Sequence, residues 1–306
     1  MSMAIHAEKL TRKFRRVRAL DGLDLDVPDG AIYTLVGPNG AGKTTAIKIL
    51  MNIIRATSGR AEVLNLDSRR IAGKAFQTIG YVSENQELPL WMRVGGFLDY
   101  LRPFYPTWDR DLELELVRQF ALPLDRKLRH LSRGMRTKAA LAGSLAYHPR
   151  LIVLDEPFTG LDPLVRDELI AGMLERSAEA SVLIASHDLA EIESFASHVG
   201  YLDQGRLQFS EDMTALANRF REVDLTLPAP VVLPERLPAT WMQASASSTA
   251  VQFIESRFDQ ERTSAEIRRV FGETRSVAFI PMSLRSIFLA MARTGRGPEE
   301  RNLESR

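Results

Sequence analysis

Residues 37–44 read Gly-Pro-Asn-Gly-Ala-Gly-Lys-Thr, and no other stretch constrains the fold of this chain so tightly. The segment follows an apolar run, 31–36, that reads as a buried strand. It precedes a helical pattern over 43–53, with Ala46, Ile47, Leu50 and Ile53 on one face. Glycine-rich turns occur in many contexts; this one matches G-x-x-x-x-G-K-[ST] in full, between the strand and the helix that the pattern requires. Gly37, Gly40 and Gly42 let successive backbone N–H groups turn inward, and the helix beginning at Lys43 adds its positive end. Pro38, Asn39 and Ala41 complete the loop, and Thr45 follows on the first helical turn. The loop predicts a triphosphate site. Lys43 supplies a mobile charge for the β- and γ-phosphates and Thr44 a hydroxyl for Mg²⁺, so a nucleoside triphosphate with Mg²⁺ is the expected ligand.

A second acidic site follows far downstream. Leu151-Ile152-Val153-Leu154 is an apolar strand that ends in Asp155 and Glu156. Beside a complete phosphate loop, Asp155 is the expected Mg²⁺ partner of Thr44, acting through water. Glu156 is the expected general base that orients or deprotonates the attacking water. Strand–helix alternation continues with a helix over 163–176, a strand over 181–185 and a helix over 189–195. Strands 199–202 and 206–209 pair around Gln204-Gly205. That order implies an α/β fold with a mostly parallel sheet. Residues 90–148 interrupt it with helices over 94–102, over 110–120 and from Ser132 onward. The first thirty residues predict two short strands flanking a basic loop over 12–18, where five of seven residues are Lys or Arg. From about 211 the composition shifts, and prolines 228, 230, 234 and 238 separate two short strands. The expectation is an accessory α+β region over 211–293, then a polar, disordered tail over 294–306.

Bulk properties narrow the function classes. A formal charge of +1 gives no reason to expect nucleic acid, and the basic 12–18 stretch reads as a solvated loop near the triphosphate. Absent cysteine excludes disulfides and thiolate metal sites and suits a reducing cytosol. The charge-free stretch 237–254 is broken by Pro238 and many hydroxyl side chains, too polar to span a bilayer.

Three further motifs complete the pattern. Leu131-Ser132-Arg133-Gly134-Met135 resembles the LSGGQ signature of ATP-binding cassette (ABC) proteins. Thr159-Gly160-Leu161-Asp162 resembles the family's D-loop, and Ser186-His187-Asp188 its switch-histidine loop. Residues 1–210 therefore resemble an ABC cassette: a P-loop NTPase core with an N-terminal antiparallel β part and a helical insertion over about 90–148. The resemblance implies that Ser132 and Gly134 face the γ-phosphate held by a second cassette in a head-to-tail dimer. It implies that His187 contacts the γ-phosphate and attacking water, and that Asp162 couples the two sites. Phe14 stands where the family places an aromatic that stacks on adenine.

This sequence departs from the family at Arg133 and Met135, where Gly and Gln are usual, and at Glu84, where the Q-loop glutamine is usual. Glu84 can still serve Mg²⁺ or water through its carboxylate, with Gln86 as the alternative. Together with residues 90–94 and the C-terminal region, Glu84 resembles ATPases of the ABC-2 export type. The resemblance implies an ATP-hydrolysing subunit, cytoplasmic and peripheral on the inner face of the membrane, that docks a coupling helix of a separate permease. The alternatives are a soluble ABC ATPase of DNA repair, chromosome maintenance or translation, or a regulatory module without turnover. Against the first stand a single P-loop, no heptad-bearing arms and no cysteines for zinc; against the second stand Glu156 and His187.

Overall fold

The computed structural model describes residues 2–84, 86–177, 180–189 and 192–295. The chain divides into two compact units, Met1–Glu211 and Asp212–Arg306.

The first unit opens with two twelve-residue strands, β1 (Met3–Phe14) and β2 (Val17–Pro28), paired antiparallel about a two-residue turn at Arg15 and Arg16. The basic loop expected over 12–18 is therefore mostly strand: Arg12 pairs with Leu20, Lys13 with Arg18 and Phe14 with Val17. An exposed ribbon end tolerates charges that project into water, so polarity there did not mark a loop. Strands β3 (Ile32–Val36), β4 (Ser58–Val63) and β5 (Leu66–Asp67) follow, with α1 (Lys43–Leu50) between the first two. Helix α1 ends before Ile53, which is half exposed. Next come β6 (Ile79–Ser83), α2 (Val94–Leu101), α3 (Arg110–Gln119) and α4 (Arg133–Leu145). They are succeeded by β7 (Leu151–Asp155), α5 (Pro163–Ser177), β8 (Ser181–Ser186), β9 (His198–Asp203) and β10 (Arg206–Asp212). Of the helix expected over 189–195, Ala190 and Glu191 lie outside the described residues, and 192–195 form turns.

Two sheets organise this unit. One is antiparallel, in the order β2-β1-β4-β5. The other runs β10-β9-β3-β8-β7-β6, with β9, β3, β8, β7 and β6 parallel to their neighbours. Strands buried on both faces read as continuous apolar runs, and the period of two sends alternate residues to opposite cores. Leu151, Val153, Leu183 and Ala185 join α1 and the antiparallel sheet in one core, with Leu25, Val27, Ala46 and Ile47. Ile152, Leu154, Val182 and Ile184 join the helical insertion in another, with Val94, Leu98, Leu116 and Leu141.

The second unit contains α6 (Met213–Arg219), β11 (Arg221–Thr226), β12 (Trp241–Ser247), β13 (Ala250–Glu255), α7 (Gln260–Phe271), β14 (Ser276–Pro281) and α8 (Leu284–Gly295). Its antiparallel sheet runs β12-β13-β11-β14. Trp241, Phe253 and Ile267 anchor its core. The tail expected over 294–306 lies outside the described residues from 296 onward. Among the described residues, no helix is long and apolar enough to cross a membrane.

Candidate functional site

The parallel sheet assembles the candidate residues at the carboxyl ends of adjacent strands, the usual place for ligands in such sheets. Val36 pairs with Ser186, Ala185 with Asp155, and Asp155 with Ser83. Gly37, His187, Glu156 and Glu84 are the residues that directly follow these strand ends.

The loop after β3 is built on backbone that only glycine accommodates. Gly42 caps α1 with φ 110°, and a Cβ there would lie 2.4 Å from the carbonyl oxygen of Ala19. A Cβ on Gly37 would lie 2.0 Å from the carbonyl oxygen of Leu202. These approaches press the loop against β2 and β9 while its N–H groups and the start of α1 stay turned to the strand ends.

Lys43 is only 5 % exposed and folds back across the loop. Its Nζ donates to the carbonyls of Gly37 (2.7 Å) and Pro38 (3.3 Å) and pairs with Glu156 Oε1 at 3.2 Å. The other oxygen of Glu156, Oε2, lies 2.7 Å from His187 Nδ1 and accepts from the Thr159 hydroxyl at 3.1 Å. Glu156 holds a left-handed φ of 51°, a conformation that costs of the order of 1–3 kcal/mol for a non-glycine residue. Its N–H is tied to Ala185 O at 3.0 Å, which fixes the turn that aims the carboxylate. Thr44 Oγ1 donates to Asp155 Oδ1 at 3.0 Å. Burial pushes the Asp155 carboxyl above its ordinary range; repulsion from Glu156 and Glu84 adds to this, and the Thr44 hydrogen bond opposes it. The structure thus brings Lys43, Thr44, Asp155, Glu156 and His187 into one cluster.

The remaining candidates sit apart from that cluster. Ser132 caps α4 by accepting from Met135 N–H at 3.2 Å. Buried Gly134 faces Val165 and Leu161, where a Cβ would meet them at 3.0 and 3.3 Å, rather than the phosphate loop. Asp162 caps α5 through Val165 N–H at 3.1 Å. Phe14 is 41 % exposed near the ribbon turn, with the Arg12 guanidinium 4.3 Å above its ring. Glu84 pairs with Arg133 at 3.2 Å instead of joining the Thr44–Asp155 hydrogen bond. Met135 packs against the helical core, which accounts for an apolar residue at that signature position. Sequence reading assigned no part to Thr159 or to the Glu84–Arg133 pair. The signals for Thr159 were its place at the head of the D-loop-like segment and its position three residues beyond Glu156, and for the pair, that both residues broke the family pattern.

Comparison with known proteins bears on the same residues. The family model described as ABC transporter matches 20–159. The daunorubicin/doxorubicin resistance ATP-binding protein DrrA of Streptomyces peucetius is 30 % identical across 98 % of this chain and 95 % of its own length. The chain belongs to the ATP-binding proteins of ABC transporters. The ABC transporter ATP-binding protein YtrB of Bacillus subtilis is 28 % identical over 94 % of this chain and 97 % of its own. An ATP-binding subunit of an ABC transporter superposes with a TM-score of 0.64 at 24 % identity, covering 71 % of this chain and 92 % of that one. A dimeric cassette solved after hydrolysis, with ADP and phosphate, gives 0.60 at 22 % identity, covering 68 % and 98 %. Both share the cassette fold. As a member of the family, this ABC protein binds ATP and hydrolyses it as the energy-supplying subunit of a transporter.

Proposed function

We propose that this chain is an ABC-2 type exporter ATPase that acts as a dimer of cassettes on the inner face of the membrane and drives a separate permease. The observation that carries this reading is the division of the site. The cluster Lys43, Thr44, Asp155, Glu156 and His187 is gathered at the strand ends, whereas Ser132 and Gly134 open a different helix, where Ser132 caps Met135 N–H and Gly134 faces Leu161 and Val165. A second cassette, docked head to tail, supplies the missing signature contacts.

In this reading the triphosphate enters the loop of Gly37, Pro38, Asn39, Gly40, Ala41 and Gly42. Lys43 exchanges the carbonyls of Gly37 and Pro38 and the Glu156 carboxylate for phosphate oxygens. That exchange frees Glu156 Oε1 to accept a proton from the attacking water, while His187 and Thr159 hold Oε2 in place. His187 is 39 % exposed at the mouth of the cluster and reaches toward the γ-phosphate. Thr44 and Asp155 offer Mg²⁺ two hard oxygen donors. Among the described residues no group of three or more acids and histidines is arranged to hold a metal ion by itself, and in this reading phosphate and water complete the shell. When bound, Mg²⁺ neutralises charge on the transferred phosphoryl group. Thr45 N–H lies in the first turn of α1 and faces the same anion, and Phe14 offers adenine the ring face opposite Arg12.

Coupling to the permease uses a cleft of about 330 Å³ between β6 and α4, lined by Val82, Glu84, Gln86, Arg133, Arg136 and Thr137. A short permease helix fits such a cleft. The drug-resistance role named for the Streptomyces relative supports export as the direction. The reading is tested with Glu156→Gln. That variant retains ATP and accumulates an ATP-bound dimer in sedimentation; a variant that stays monomeric at saturating ATP sinks it.

A further inference from the structure

The two places where this cassette departs in charge from its family contact one another. Glu84 closes β6 and Arg133 opens α4, and they pair at 3.2 Å with 34 % and 46 % of their side chains exposed. On its other side, the Arg133 guanidinium borders the D-loop: a Cβ on Gly160 would lie 3.5 Å from its Nη1. Glu84 in turn directly follows Ser83, which pairs with Asp155 across the sheet. One guanidinium therefore borders both Glu84 and the D-loop, and it is carried by the residue next to the signature Ser132.

We infer that Arg133 is a two-position guanidinium that holds Glu84 in the separate cassette and moves to the partner cassette's nucleotide when the dimer closes. The inference rests on the composite-site reading above. A half-exposed ion pair is weak and easily exchanged. A triphosphate carries far more negative charge than one carboxylate, and arginine binds phosphate through two parallel N–H donors. The side chain reaches past Ser132, whose own role toward that phosphate needs no arginine. Closure thus frees Glu84 at one site in response to nucleotide at the other, a link between the two sites that a glycine at position 133 lacks. Arg133 is a positioning residue for Glu84 and a contact to the partner's phosphate, in alternation.

The test measures ATP-driven dimerisation in the Glu156→Gln background by sedimentation. Both side chains are exposed, so the variants fold. Arg133→Ala weakens the dimer about tenfold or more, the loss expected for a charge-assisted phosphate contact, and Arg133→Lys recovers part of it. Glu84→Gln tightens the dimer severalfold by releasing the guanidinium. In the Arg133→Ala background, Glu84→Gln has no further effect. A Glu84→Gln effect of equal size with and without Arg133 overturns the inference, because Glu84 then acts on its own, through the metal or otherwise. An Arg133→Ala dimer as tight as its parent also overturns it. If the Glu156→Gln parent itself fails to dimerise, the composite-site reading is what fails, and this inference goes with it.

Discussion

Replacing Lys43 with Ala removes a buried charge as well as the proposed phosphate ligand. Lys43 and Glu156 are 5 % and 9 % exposed and 3.2 Å apart. Their Coulomb attraction is about 5 kcal/mol at an effective dielectric near 20, before the cost of desolvating both groups. Removing one member of a buried pair costs about 3–5 kcal/mol, because the other charge is left buried without its counter-ion. Here His187 and Thr159 still serve Glu156 Oε2, so the expected loss for Lys43→Ala lies at the lower end, about 3 kcal/mol. Glu156→Gln removes the stranded charge. The double variant Lys43→Ala, Glu156→Gln should therefore recover at least about 1.5 kcal/mol of that loss while remaining inactive. The assay is urea unfolding of the four proteins without nucleotide, read by circular dichroism, with ATP turnover in parallel. Additive stabilities for the two substitutions, or a Lys43→Ala protein as stable as its parent, would refute the buried-pair account.

Four further outcomes follow from other parts of the molecule. Gly37→Ala sets a Cβ 2.0 Å from Leu202 O, a backbone atom, so β9 must move; the expected cost is about 2 kcal/mol or more, with loss of ATP binding seen by calorimetry. On the antiparallel sheet, hydrogen bonds to Asp26 and then Glu8 hold the His6 pKa above its ordinary 6.5. That contribution is complete below pH 6.5 and lost as pH rises through the raised value, so His6→Ala flattens the decline in Tm above pH 6.5. At the acid end Arg60 and then His6 pull Glu8 from 4.5 to about 2, a contribution present above 4.5 and lost as pH falls toward 2. Glu8→Gln therefore removes the acid-side component of the Tm profile and, because Glu8 is one of the two carboxylates that raise His6, weakens the neutral-side component as well. In the second unit, fully buried Phe253 stacks on Trp241 with ring centroids 3.9 Å apart, and Phe253→Ala should cost about 3–5 kcal/mol in thermal unfolding.

What the sequence made legible was whatever the backbone itself demands. Gly37 and Gly42 stand where no Cβ fits, and the acids Asp155 and Glu156 end an apolar run that can only be a buried strand. The parallel core was legible for the same reason, because doubly buried strands leave unbroken apolar runs. Exposed elements left weaker traces. The ribbon around Arg15 looked like a basic loop, and Trp241–Ser247, rich in serine with one face in water, gave no strand signal. Side-chain partnerships between distant segments were not legible at all. Lys43 with Glu156 depends on the register of β3, β8 and β7, and Glu84 with Arg133 on α4 packing beside β6, neither of which a local pattern encodes.

The central claim is that each active site is shared between two chains. Ser132→Asp tests it cleanly, since Asp caps a helix as well as Ser and keeps α4 intact, yet its carboxylate repels a γ-phosphate. Lys43→Ala disables the chain's own phosphate loop and leaves its signature intact. Each protein alone should be inactive. Mixed in equal amounts, at a temperature where both are folded, they form heterodimers with one complete site, and ATP turnover should return. A mixture as inactive as its components would contradict the shared site.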